Sequence, residues 1–206
     1  MTDVARPVTG AALLHPRTTE AITHAVLDEL AAQGYGQLSM ESVARRAGVG
    51  KSALYRRWRT KQDMVVAMLS ELSVPLAQTP DTGSLRGDLW ASLCVFRDWI
   101  VDPQMRTILP DLTAEAARNP TFSQAYQAAI AGPRRAHAAA PFHRAIAREE
   151  LAPDLDIEFV LDLISAPLYW RLSIRQVDVD DAFIEALLDQ VMLALPTRPP
   201  RRSPRP

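Results

Sequence analysis

Apolar residues recur along most of this chain at intervals of three and four, the spacing of one face of an α-helix. Ile22, Ala25, Val26 and Leu30 set a first helix from Thr18 or Thr19 to Gln33, with Gly34 as its stop. Ser39 can cap a second, short helix whose apolar positions are Val43, Ala44 and Ala47. Gly48 follows, where a helix end often needs a left-handed residue. A third helix runs from Lys51 to about Trp58 with Leu54 and Trp58 on one face, and Thr60 caps a fourth that continues through Met64, Val65, Met68, Leu69 and Leu72 to about Val74. After a Pro/Thr/Gly-rich connection at 75–83, helical spacing returns at about 84–101, 103–109, 111–118, 121–131, 133–150, 154–175 and 180–195. Prolines punctuate these stretches, and Pro141 and Pro167 fall inside two of them, where each should kink or break the helix. No segment reads as a strand, so the expected class is all-α.

The second and third helices carry the chemistry. Around the turn Gly48-Val49-Gly50, the inward residues are Val49, Leu54 and Trp58. The outer face holds Ser52, Tyr55 and Arg56, with Lys51 at its edge. Hydroxyl, ammonium and guanidinium groups on one helix face suit the major groove of duplex DNA, where they meet base edges and phosphates. An ordinary solvated helix face is the alternative.

Charge distribution sharpens the first reading. The net charge of −1 hides a basic start: residues 1–61 hold nine Lys/Arg against five acids, and residues 62–196 hold ten arginines against nineteen acids. A basic unit joined to an acidic remainder fits a chain of which one end meets phosphate.

These residues resemble the TetR family of bacterial transcriptional repressors. The resemblance is carried by Gly34-Tyr35 at the end of the first helix, Ala47-Gly48-Val49 before the third, Leu54-Tyr55 inside it, Trp58 closing it and Lys61 opening the fourth. It covers roughly residues 17–65 closely. It implies an N-terminal three-helix helix-turn-helix DNA-binding domain followed by a C-terminal helical bundle for ligand binding and dimerisation. The expected divisions are a flexible arm at 1–16, the DNA-binding domain at 17–61, the ligand-binding and dimerisation domain at 62–195 and a disordered tail at 196–206. Carried over by position, Lys51 and Ser52 reach base edges, Tyr55 and Lys61 hold phosphates, Arg56 and Arg57 add base or backbone contacts, and Thr60 caps; Ser39, Gly50 and Thr60 are counted with them as candidate DNA-binding residues. Gly50 departs from the family pattern, which often has a capping hydroxyl there. The expected partners are a double-stranded DNA operator, a small-molecule effector and a second copy of the chain. An activator, a DNA-bound partner of another protein, or a helical enzyme or carrier are the alternatives.

Two further expectations concern the larger domain. Trp90, Phe96, Trp99, Met105, Phe122, Tyr126, Tyr169 and Trp170 are candidate walls of an apolar ligand cavity, or plain core. The helix near 154–175 is apolar on two faces. Its stripe Ile157, Val160, Leu161, Ile164 and Leu168, with Ile184, Leu187, Leu188 and Val191 on the last helix, is the candidate dimer interface, a second stripe being Phe159, Leu163 and Tyr169. The alternative is that both faces are covered within one protomer. His15, His24, His137 and His143 have no metal-site spacing, and Cys94 is the one cysteine, placed among Leu89, Trp90 and Phe96 as a packing residue. Neither a metal nor a cofactor is expected, and no phosphate loop or nucleophile elbow suggests an enzyme. No apolar run is long enough to span a bilayer, no disulfide is possible within the chain, and the cytoplasm is the expected compartment.

Overall fold

The computed structural model describes residues 16–195, so the expected arm and tail fall outside the described residues except for Pro16. No strand forms among them, and no described helix is long and apolar enough to cross a membrane. Three helices make the head: α1 (Pro16–Gln37), α2 (Met40–Ala47) and α3 (Lys51–Arg57). The helix α4 (Lys61–Ser73) leads out of it. The body comprises α5 (Leu85–Val101), α6 (Pro103–Arg118), α7 (Pro120–Tyr126), α8 (Gly132–Ala147), α9 (Ile157–Tyr169) and α10 (Asp181–Ala194).

The head closes around the expected residues. Ile22, Ala25, Val26, Leu30, Leu38, Val43, Ala44, Leu54 and Trp58 are all buried. Local chemistry sets its corners. The Ser39 hydroxyl accepts from Ser42 N–H at 3.0 Å, and the Ser42 hydroxyl returns the favour to Ser39 N–H, so α2 begins with a reciprocal cap. Gly48 sits at φ 67°, ψ 29°, and its N–H bonds back into α2. Glu29 of α1 is only 5% exposed. Arg46 Nε reaches its carboxylate at 2.6 Å, and Gln33 donates to it as well. Burial opposes the charge on Glu29, but Arg46 and Ser42 outweigh it and hold the carboxyl below its usual range.

Gly34 is where α1 changes course, at φ 75°, ψ 170°. The expected stop after Gln33 is therefore a sharp kink, beyond which the chain turns on through Gln37. Asp111 of α6 lies against it and accepts Tyr35 N–H at 2.7 Å. Gln104 of α6 donates to Asp28 of α1 at 2.8 Å, and the Tyr35 ring packs on Phe122 of α7 with centroids 4.8 Å apart. The head thus rests on α6 and α7 as well as on α4.

The prolines interrupt less than their positions suggest. Two helices were expected on either side of Pro110, yet α6 runs unbroken through it. Pro110 is exposed, so the carbonyl it leaves without a donor can meet water. Likewise α7 continues into α8 through a π-turn at 127–131, in which Gly132 N–H bonds to the Gln127 carbonyl. Pro133 has no N–H for the carbonyl of Ala129, and the Ser70 hydroxyl of α4 takes it at 2.8 Å. Pro141 stays inside α8, while α9, carrying Pro167, passes into a second π-turn at 170–174.

Candidate nucleic-acid interface and effector cavity

The turn between α2 and α3 presents α3 with one face held and one face free. Leu54 and Trp58 are buried beneath it, while Lys51, Ser52, Tyr55 and Arg56 are exposed. Gly50 stands at the N-cap with no side chain to bond the first turn, as its identity implies. Lys51 Nζ lies 2.5 Å from Glu41 of α2, and chiefly through this contact the Glu41 carboxyl is held below its usual range. Arg56 has no ion-pair partner among the described residues.

Two expected DNA contacts are engaged by the protein itself. Arg57 points back across the head, donating to Thr19 of α1 at 3.1 Å and pairing with Glu71 of α4 at 3.4 Å, with its guanidinium 4.6 Å from the Trp58 ring centroid. This geometry fixes α3 between α1 and α4. Lys61 donates to the carbonyls of Tyr35 at 2.8 Å and Gly36 at 3.1 Å and lies 4.5 Å from the Tyr35 ring centroid. It therefore closes the C-terminal end of α1 with a positive charge at the edge of the head. Thr60 caps α4 reciprocally with Asp63, each backbone N–H being 3.1 Å from the other's side-chain oxygen. Ser39 and Thr60 thus hold helix starts.

Inside the body lies a cavity of about 330 Å³. Of the eight expected wall residues, Phe96, Trp99, Tyr126 and Tyr169 line it. Met105 and Phe122 are buried core instead, Trp90 packs partly buried against that core, and Trp170 is 58% exposed. Leu161 and Ile164, expected at a dimer contact, are cavity walls as well. Sequence periodicity missed Arg134, which reaches the cavity from α8. Cys94 is partly buried beside these helices, and burial pushes its thiol pKa up, away from the reactive thiolate. No group of His, Cys, Asp and Glu among the described residues could hold a metal ion.

Residues 22–68 match the family of bacterial regulatory proteins named for tetR, and residues 79–191 match the tetracyclin repressor-like C-terminal domain. The chain belongs to the TetR family. The DNA-binding transcriptional repressor TetR of Mycobacteroides abscessus is 34% identical over 176 residues, which span 85% of this chain and 92% of that protein. Among solved structures, the TetR family transcription regulator SCO0332 is 31% identical with a TM-score of 0.69, covering 85% of this chain and 97% of that one. The fatty acid degradation regulator FadR from Bacillus halodurans shares the fold at a TM-score of 0.72, covering 90% of this chain and all of that one, although it is only 15% identical.

This TetR-family chain is a DNA-binding transcriptional regulator of a family that regulates rather than catalyses. Its two-faced helix corrects one expectation. On α9, Val160, Leu161, Ile164 and Leu168 are buried in the protomer's own core with Ile157 packed beside them. Ile184, Leu188 and Val191 of α10 are buried in the same core, with Leu187 partly covered. That stripe is inward because α9 packs on α8 and α5, and α10 on α5. The face left open carries Phe159 at 64% exposed, Leu163, Trp170 and, on α10, Leu193 at 81%.

Proposed function

We propose that this TetR-family regulator is a repressor that binds a near-palindromic operator as a homodimer and is released when a small molecule enters the cavity of the body. The observation that carries the reading is the free face of α3, where Lys51, Ser52, Tyr55 and Arg56 stand exposed on a helix anchored by Leu54 and Trp58. Repression is favoured by the name of the 34% identical relative, a transcriptional repressor. The open face of α9 and α10, with Phe159, Leu163, Trp170 and Leu193, supports pairing of two copies, since so many large apolar groups in one region mark an interaction surface. Two copies related by a twofold axis would read successive major grooves about 34 Å apart, one turn of the duplex.

Binding to a selected genomic duplex and to random duplex, titrated at several salt concentrations, tests this. Tyr55→Phe and Lys61→Ala should weaken both duplexes alike, and Lys61→Ala should flatten the salt slope by about one charge. Lys51→Ala should instead relax discrimination at one base position. Because Lys61 also holds two carbonyls of α1, its variant is melted alongside to separate a loosened head from a lost phosphate contact. Unchanged affinity in all three variants refutes the interface.

A further inference from the structure

Arg134 is a charged group of the cavity with no counter-ion among the described residues. Its guanidinium lies 4.3 Å from the Trp99 ring centroid and donates through Nη1 to the backbone carbonyl of Ser73, at the end of α4. No carboxylate among the described residues pairs with it. Its neighbour Arg135, also on the cavity wall, is neutralised by Glu158 and Asp162. Burial pulls the Arg134 pKa down, the sign of a cation short of water and of anions. A guanidinium offers five N–H donors in a planar fork, so one neutral carbonyl leaves most of them for another acceptor.

The other walls are consistent with an anionic guest. Phe96, Trp99, Tyr126 and Tyr169 supply flat apolar surface, and no acidic residue among the described residues lines the cavity. The hydroxyls of Ser92, Thr113 and Ser165 donate to carbonyls of their own helices, at Asp88, Leu109 and Leu161. Neither tyrosine hydroxyl has a hydrogen-bond partner among the described residues.

The same arginine is one of the ties between the body and α4, the helix that leads out of the head. The C-terminal end of α4 is tied to the α7–α8 rod at three points: Ser70 to the Ala129 carbonyl, Arg134 to the Ser73 carbonyl, and His137 Nδ1 at 3.2 Å from the Val74 carbonyl. The other end of α4 carries Lys61, which holds the last carbonyls of α1 in the head. Ser73 Oγ is buried with no partner, so this joint is not fully satisfied at rest. A carboxylate can accept two parallel N–H bonds from a guanidinium and adds the attraction of opposite charges, neither of which a single backbone carbonyl supplies.

Resting on the reading of the cavity as an effector site, we propose that it takes an amphipathic aromatic monoanion, of the carboxylate class, whose anionic group displaces the Ser73 carbonyl from Arg134. The exchange removes one of the three ties between α4 and the α7–α8 rod and loosens that joint, and anion binding and DNA binding thereby oppose each other by equal free energies.

The matched probes 2-naphthoate and 2-naphthamide, titrated into the full chain by calorimetry and tryptophan fluorescence, separate charge from shape. The acid should bind about tenfold or more tighter than the amide, the discrimination expected for a hydrogen-bonded charge. Arg134→Met should erase that preference while leaving amide binding intact, and Arg134→Lys, which keeps the charge but not the fork, should retain part of it. Naphthoate should also weaken DNA binding by the wild type and not by Arg134→Met. Equal affinity for acid and amide, a preference that survives Arg134→Met, or no binding of either probe overturns the assignment of ligand class. Naphthoate that binds through Arg134 without changing DNA affinity overturns the latch. A neutral probe that alone releases DNA keeps the effector reading and removes the anion.

Discussion

Gly34→Ala tests the joint between head and body. The backbone there, at φ 75° and ψ 170°, lies in a region that is almost the preserve of glycine, and a side chain held in it costs about 1–3 kcal/mol. The new Cβ would also stand 3.1 Å from Asp111 Oδ1 and 3.2 Å from Cγ and Oδ2. The carboxylate must then move, and it is the acceptor of Tyr35 N–H at 2.7 Å, a charge-assisted bond whose loss costs about 1–3 kcal/mol. Since Asp111 is only half-buried, the combined penalty is taken as about 2–5 kcal/mol rather than the full sum. In a chain of this size each kcal/mol is worth about 2–4 °C, so melting at fixed protein concentration should fall by roughly 5–15 °C. A double-mutant cycle isolates the cause. With Asp111→Ala already in place, Gly34→Ala should cost only its backbone strain, leaving the pair short of additive by about 1–2 kcal/mol. A Gly34→Ala protein that melts with the wild type refutes the strain, and strict additivity refutes the clash with Asp111.

Two other outcomes follow from buried and exposed faces. Phe159→Glu with Leu193→Glu should shift the protein from dimer to monomer in sedimentation velocity without lowering the melting temperature of the protomer, whereas Val160→Glu should destabilise the fold itself; a persistent dimer in the first variant moves the interface elsewhere. Asp88 is fully buried, and burial opposes its charge, but two bonds from Thr82 and the Arg144 guanidinium at 2.7 Å hold its pKa below the usual range. A depressed folded pKa gives stability that is complete above the unfolded value, about 3.9, and is lost as pH falls through the folded one. Melting temperature should therefore drop steeply below about pH 4. Asp88→Asn should be less stable at neutral pH and fall less steeply in acid, and an unchanged acid limb would show that other carboxylates set it.

What could be read from sequence was what short-range chemistry decides. Ser39, Gly48 and Thr60 mark helix ends because each acts on backbone groups within a few residues, and the structure uses all three in that way. The core of the head followed from spacing for the same reason. The phase of α9 did not, since apolar residues stand on both sides of it and periodicity cannot say which side meets α8. Pro110 and Pro133 misled because the carbonyls they leave free find acceptable company, in water for the first and in Ser70 for the second. The contacts of Arg57 with Thr19 and Glu71 were not legible, because those partners lie 38 and 14 residues away. Arg134 gave no signal at all, since its meaning depends on the lack of a nearby acid, a fact of three dimensions.

If α3 meets DNA as proposed, the pair formed by Lys51 and Glu41 bears on search along a genome. A protein whose leading ammonium is already occupied gains less from any random stretch of phosphates, so it lingers less at each wrong address. On the proposed reading, the lysine would change hands only where a base edge offers a better-placed acceptor. An acidic residue beside the reading helix would thereby lower the background against which the correct sequence must be found, and shorten the time spent sampling the rest.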